Sequence, residues 1–196
     1  MKMIAAFFVI LALAGAVQAE TSPKNMVDAV VTRPVKGESY PVLPALPTEL
    51  RSRIMNQLAE SKAIREAYAK LDARQSNVSW FQGISELEKQ KAVRPLLSAL
   101  CHYSEDTQIH ALRSLSRLGD KQAVPFLLVY ADYMAVREHG SENATIHDII
   151  HIEIAKTLSS LTGIKVEIKR QDVNGLKKGI RLWKRWQLEQ EEKKGS

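Results

Sequence analysis

The sequence repeats itself at a regular interval, and this repeat restricts the possible folds more than any other feature. Ala92-Val93-Arg94-Pro95-Leu96-Leu97 recurs 31 residues later as Ala123-Val124-Pro125-Phe126-Leu127-Leu128. Residues 109–118 recur in a similar way as residues 152–161, 43 residues later, so the last copy carries 12 extra residues. These extra residues fall between Tyr133 and His147. Self-similarity at such a period is typical of stacked helical hairpins.

Each repeat predicts a pair of helices. The first helix begins at the Ala-Val step with proline in its first turn, where the missing N–H costs no helical hydrogen bond. The second helix directs Leu115 and Leu118 toward the first. We expect Gly119 and Gly163 to end two copies of this second helix, because glycine adopts the left-handed conformation of a helix C-cap at low cost. One pair cannot bury its apolar face alone, so stacking of neighbouring pairs is expected.

We therefore predict an all-α fold with a short α-solenoid of helical hairpins over residues 77–163. Apolar residues recur at helical spacing from Leu50 through about residue 74, which predicts an N-terminal helical segment over residues 48–76. Residues 20–47 are predicted to be an extended arm, because prolines interrupt helices. The prolines on which this prediction rests are Pro34, Pro41, Pro44 and Pro47. Residues 164–196 are predicted to hold a basic capping helix and a tail.

The repeated motif is similar to a known family. Ala-Val-x-Pro-Leu-Leu-x-x-Leu, followed by Leu-x-x-Leu-Gly-Asp, resembles the short bacterial HEAT-like repeat, the type named after phycobilisome lyases. The Leu-Thr-Gly turn that leads into a Trp-x-x-Trp helix resembles the tail of exported bacterial HEAT-repeat proteins. The resemblance covers about residues 78–190 and implies a fold far more specifically than a function. An iron-dependent hydroxylase of this family binds metal through His-Glu pairs, but Ile109-His110 and Ile152-Glu153 stand at those positions here.

The N-terminus has the pattern of a secretory signal peptide. Lys2 precedes an uncharged apolar run over residues 3–17, and Val17-Gln18-Ala19 places small residues at the positions that a signal peptidase requires. This predicts a signal peptide over residues 1–19, with cleavage near Ala19 and a periplasmic or secreted location. A membrane anchor is the alternative, but a membrane span needs about 20 apolar residues, and this run is shorter.

The positive charge is concentrated at the C-terminal end. Residues 164–196 carry ten basic and five acidic side chains, while the rest of the expected mature chain is balanced. An apolar stripe at helical spacing crosses this segment through Leu176, Ile180, Trp183 and Trp186. The stripe can cap the repeats, or the helix can bind an anionic membrane surface. We favour the cap, because amphipathic helices of soluble proteins usually bury their apolar face in their own core. The cations for the membrane alternative are Lys177, Lys178, Arg181, Lys184 and Arg185.

The second helices of the repeats are expected to line one face with polar side chains. The candidates for contact with a partner are Gln82, Glu86, His110, Arg113, Arg117, Glu153, Lys156 and Ser160. This strip mixes both charge signs, which suits a protein or peptide in the cell envelope better than a polyanion. Export also disfavours nucleic acid as a partner. We therefore predict a non-enzymatic interaction or scaffold module.

A metal-dependent enzyme is the alternative. His147 and His151 share one helix face at the spacing that a metalloprotease helix uses. His139, in the inserted segment, is a candidate third ligand. However, Asp148 replaces the glutamate that follows the first histidine in that motif, and no clear third ligand follows at family spacing. We expect both histidines on the outer part of an ordinary helix, with no catalytic residue and no cofactor.

The single cysteine cannot form an internal disulfide. Cys101 lies four residues after Leu97, on the apolar side of a predicted helix. Free cysteine is among the most buried residue types. We therefore expect Cys101 to be a small buried apolar residue, although an intermolecular disulfide or a reactive thiol is the alternative.

Overall fold

The computed structural model describes residues 22–31, 46–72, 75–102, 104–136 and 144–195. Within these ranges the chain forms α-helices and short 3-10 turns and contains no β-strand, which confirms the prediction of an all-α fold. The predicted signal peptide over residues 1–19 and the candidate ligand His139 lie outside the described residues.

Nine α-helices follow one another in the described ranges. They are α1 (Pro23–Val31), α2 (Thr48–Glu60), α3 (Lys62–Ala69), α4 (Asn77–Lys89), α5 (Val93–Ser98), α6 (Glu105–Leu118), α7 (Val124–Val136), α8 (Ala144–Thr162) and α9 (Val173–Gly195). A 3-10 turn, Ala99–Cys101, extends α5, and another, Lys121–Ala123, leads into α7.

The repeat pattern predicted several helix ends correctly. The helices that follow the two Ala-Val steps begin at Val93 and Val124, 31 residues apart as expected. Gly119 has a φ of 69° at the end of α6, and Gly163 has a φ of 79° directly after α8. Both glycines thus occupy the left-handed region that favours this residue at helix ends.

The N-terminal part differs from the prediction at the expected arm. The expected extended arm contains a helix, α1, whose residues Met26, Val27 and Val30 are buried. The apolar spacing of these residues outweighs the local preference of the neighbouring prolines. The predicted helical segment over residues 48–76 contains two helices, α2 and α3, which are divided at Ser61, whose hydroxyl accepts a hydrogen bond from the Ile64 amide and caps α3. A side-chain cap of this kind begins a new helix in a new direction.

The second helices of the repeats lie side by side. α6 packs between α4 and α8, while α3 packs on α4, α5 on α6 and α7 on α8. α1 and α2 pack against each other at the N-terminal end. The arrangement leaves one side of α4, α6 and α8 available as a shared surface.

The C-terminal helix buries its apolar stripe. α9 packs on α7 and α8, with Leu176, Ile180 and Trp183 buried and Trp186 half-buried. The Trp183 indole N–H donates a hydrogen bond of 3.2 Å to the Ile164 carbonyl. The predicted basic side chains of α9 are all exposed: Lys177, Lys178, Arg181, Lys184 and Arg185. Among the described helices, none has the length and apolar character needed to cross a membrane.

Candidate protein-interaction surface

We use the name α4–α6–α8 face for the surface formed by the exposed side chains of these three helices, which pack side by side. Gln82 on α4, Arg113 and Arg117 on α6, and Lys156 and Ser160 on α8 are exposed there. Glu86 and His110 are half-buried. Two ion pairs and one ring contact link these helices. Of the predicted residues, the fold brings Arg113, Glu153 and Lys156 into contact with one another.

Glu153 does not have the exposure that we expected. It is only 7% exposed, because α8 packs closely against α6. Arg113 Nη2 lies 3.2 Å and Lys156 Nζ 3.1 Å from Glu153 Oε1. Burial acts to raise the pKa of Glu153, but the hydrogen bonds from Arg113 and Lys156 outweigh burial and lower it. Glu153 therefore orients two exposed cations and offers little surface of its own.

Arg117 is fixed from the opposite side by Glu88 of α4. Its Nε donates to Glu88 Oε1 at 2.7 Å, and its Nη2 donates to Glu88 Oε2 at 2.6 Å. The Ser114 hydroxyl also donates to Glu88 Oε2 at 2.6 Å. The hydrogen bond from Arg117 is the main reason that the pKa of Glu88 is lowered. Sequence reasoning missed Glu88, since only the packing of α4 on α6 places it opposite Arg117.

An aromatic contact joins α4 and α6 on the same face. The Phe81 and His110 rings lie 4.4 Å apart, centroid to centroid, with a tilt of 41° between their planes. Partial burial and the nearby Arg113 lower the pKa of His110, which favours the neutral ring. Sequence reasoning missed Phe81, since only the packing of α4 on α6 places this ring beside His110.

A further ion pair lies at the α3 side of the face. Lys70 Nζ donates to both oxygens of the Glu86 carboxylate, at 2.7 and 2.8 Å. Both side chains are only partly exposed. Glu86 is therefore already paired within the fold, and a partner would meet it together with Lys70.

The two arginines of α6 retain hydrogen-bonding capacity. A guanidinium has five N–H donors in a fixed planar arrangement. Arg113 uses Nη2 toward Glu153, and Arg117 uses Nε and Nη2 toward Glu88 and Ser114. Their side chains stay 44% and 58% exposed. An arginine that a carboxylate already orients loses less conformational entropy when it binds a further acceptor.

The two candidate metal ligands of α8 are not on the outer part of the helix. His147 and His151 are 2% and 1% exposed, because α8 packs against α6, α7 and α9. His147 Nε2 lies 2.9 Å from Glu105 Oε1, and His151 Nε2 lies 3.2 Å from the Met134 carbonyl oxygen. The described residues contain no group of three or more side chains positioned to hold a metal ion.

Cys101 and His102 belong to the core beneath α6. Cys101 is buried, as predicted, and burial raises its pKa to about 12. Burial also lowers the pKa of His102 to about 4. The His102 carbonyl accepts a hydrogen bond from the Gln108 amide, whose oxygen in turn accepts one from Tyr130. A buried neutral thiol is a poor nucleophile, and these hydrogen bonds are those of a packed core.

The fold and this face define an all-helical protein with a polar surface across three adjacent helices. On this surface, the exposed arginines already form ion pairs with glutamates of the neighbouring helices. Comparison with known proteins adds no narrower class, since no protein-family model, curated protein or solved structure matches the chain.

Proposed function

We propose that this chain is an exported, non-enzymatic protein-interaction module, built as a short α-solenoid of HEAT-like hairpins. Its partner is a protein or peptide of the cell envelope, and its binding surface is the α4–α6–α8 face. The mature protein begins after cleavage near Ala19, acts in the periplasm or the secreted space, and requires no cofactor.

The observation that carries this proposal is the environment of the α6 arginines. Arg113 and Arg117 are exposed, yet each is oriented by a glutamate of a neighbouring helix. The Phe81–His110 contact provides a partly apolar centre beside them. Arginine and aromatic side chains are enriched among the residues that dominate binding energies at protein interfaces. Donors beside an apolar centre suit carboxylates and main-chain carbonyls of a peptide.

The alternatives have less support from the same residues. Insertion of α9 into a membrane would use the stripe of Leu176, Ile180 and Trp183, which α9 buries against α7 and α8. A metal-dependent reaction through His147 and His151 would need both imidazoles to leave contacts inside the core. Binding of a partner to the α4–α6–α8 face requires no such rearrangement.

Site-specific photo-crosslinking in the native envelope tests the proposal. A photoreactive amino acid replaces Gln82 or Ser160 on the face. The exposed residue Lys178 on α9 serves as the matched control position. We expect one discrete adduct from both face positions and none from the control. An adduct from position 178 alone, or no adduct from either face position, would contradict the assignment of this surface.

A charge exchange then tests the role of the arginine. The double variant Glu88→Arg/Arg117→Glu keeps an ion pair between α4 and α6 but moves the guanidinium to the other helix. We expect its melting temperature to remain near that of the parent protein while the adduct at Gln82 is lost. An unchanged adduct would show that Arg117 does not bind the partner.

A further inference from the structure

A cleft lies between α7 and α9, two helices that do not contribute to the α4–α6–α8 face. It is open to solvent on one side and has a volume of about 500 Å³, within the range of roughly 300–1,000 Å³ typical of small-molecule sites. Its walls are formed by Asp132, Tyr133, Ala135, Val136, Lys177, Ile180, Arg181 and Lys184. The volume suits a small ligand better than a folded peptide.

The cleft combines an apolar wall with cations from one helix. Ala135 and Ile180 are buried against it, while Val136 is 73% exposed and leaves apolar surface open to solvent. Val136 therefore offers an apolar surface that a ligand in the cleft can cover. The ligand that fits this wall has an apolar body.

The charges of the cleft are not balanced. Lys184 Nζ lies 2.6 Å from Asp132 Oδ2 and pairs with it. Lys177 and Arg181 are exposed, stand four residues apart on α9, and form no ion pair with any residue that the structure describes. Like charges at this spacing on a helix repel each other. An anionic group between Lys177 and Arg181 would relieve this repulsion.

We propose that the α7–α9 cleft binds a single-chain amphipathic carboxylate, that is, a free fatty acid. The carboxylate lies between Lys177 and Arg181, since guanidinium and ammonium groups form strong charge-assisted hydrogen bonds with carboxylates. The acyl chain lies on Ala135, Val136 and Ile180. This binding is independent of the proposed partner on the α4–α6–α8 face, because the two sites share no helix.

Calorimetric titration of the purified protein with dodecanoate tests this site. We expect saturable binding of one dodecanoate per chain. Acetate tests the anion without the chain, and dodecyltrimethylammonium tests the chain with the opposite charge; neither is expected to bind. Absence of saturable dodecanoate binding, or equal binding of dodecyltrimethylammonium, would overturn the proposal.

Variants of α9 and α7 identify the groups responsible. Loss of one charged hydrogen bond in Arg181→Gln or Lys177→Gln is expected to weaken dodecanoate binding at least about tenfold. Lys178→Gln is the matched control, because Lys178 is an exposed cation of α9 that does not line the cleft. Asp132→Asn is expected to tighten binding, since it removes a carboxylate and releases Lys184. Unchanged binding in all three cleft variants would overturn the assignment.

Discussion

His147 on α8 and Glu105 at the start of α6 form a hydrogen-bonded pair, with 2.9 Å between the imidazole Nε2 and the carboxylate Oε1. Their side chains are only 3% and 18% exposed. Removal of one partner leaves the other with a desolvated polar group. We therefore expect His147→Ala to lower the free energy of unfolding by about 1–3 kcal/mol, measured by urea denaturation.

Metal analysis of the parent protein and of His147→Ala distinguishes the interaction-module hypothesis from the metal-enzyme hypothesis. We expect less than stoichiometric zinc and iron in the purified protein, and no change in melting temperature after chelation. His110→Ala is a control from the exposed side of the fold, and its effect on the free energy of unfolding should be smaller than that of His147→Ala. Stoichiometric metal that is lost from His147→Ala would favour the enzyme hypothesis instead.

The Glu88 carboxylate predicts a dependence of stability on pH. Its pKa is lowered in the folded protein, from an ordinary value of 4.5, so folding favours the deprotonated form. The stabilisation is complete above the ordinary pKa and is lost as the pH falls through the lowered one. We expect Glu88→Gln to reduce the free energy of unfolding by about 0.5–1 kcal/mol at neutral pH, with the difference shrinking as the pH falls below the ordinary pKa of 4.5.

The check on this prediction is a denaturation series at several pH values. Glu189→Gln on α9 is the control, because it makes the same substitution at an exposed glutamate on a helix other than those of Glu88 and Arg117. A Glu88→Gln effect that stays constant from pH 7 to pH 3 would assign the contribution to packing.

We expect substitution of two glycines to destabilise the fold by different mechanisms. A Cβ at Gly83 would lie 2.8 Å from the Ala67 carbonyl oxygen, so Gly83→Ala must push α3 and α4 apart. We expect a cost of about 1–3 kcal/mol for this overpacking. At Gly119 no described atom lies within 4 Å of such a Cβ, but φ is 69°, so Gly119→Ala should cost only about 1 kcal/mol of backbone strain.

Asparagine distinguishes the two mechanisms in the same denaturation measurement. Gly119→Asn should recover much of the loss, because asparagine tolerates the left-handed conformation. Gly83→Asn should be worse than Gly83→Ala, because its side chain is larger. Equal behaviour of the two positions would show that steric contact between α3 and α4 is not what requires Gly83.

The two tryptophans of α9 predict unequal contributions to stability. Trp183 is fully buried, while Trp186 is only partly buried. We expect Trp183→Ala to reduce the free energy of unfolding by about 3–5 kcal/mol, the usual cost of truncating a large core side chain. Trp186→Ala should cost clearly less. If both variants unfold at the parent's denaturant midpoint, α9 does not stabilise the core.

The sequence predicted those features that depend on local pattern. The starts of α5 and α7, the glycines that follow α6 and α8, and the burial of Cys101 all follow from repeat spacing or residue type. The helix α1 was missed, because the prolines nearby were given more weight than the apolar spacing of Met26, Val27 and Val30. Prolines favour an extended chain, whereas this apolar spacing favours a buried helix. The sequence alone does not show whether the rest of the fold offers an apolar surface on which such a helix can pack.

Tertiary contacts explain what the sequence could not indicate. His147 and His151 are buried because α8 has neighbours on several sides, so polar character alone did not place them outside. Glu153 is buried for the same reason. The partners Glu88 and Asp132 lie 29 and 52 residues from Arg117 and Lys184, and nothing in the spacing of either pair predicts that they meet.

The two arginines of α6 reach in opposite directions, Arg113 to Glu153 on α8 and Arg117 to Glu88 on α4. Each arginine therefore links two helices through an ion pair that a competing acceptor can replace. An acceptor that draws Arg117 away from Glu88 weakens the contact on one side only, and the Ser114 hydroxyl then keeps the remaining hydrogen bond from α6 to Glu88 on α4. Binding at one arginine therefore loosens the contact between its own pair of helices, while the ion pair of the other arginine stays in place.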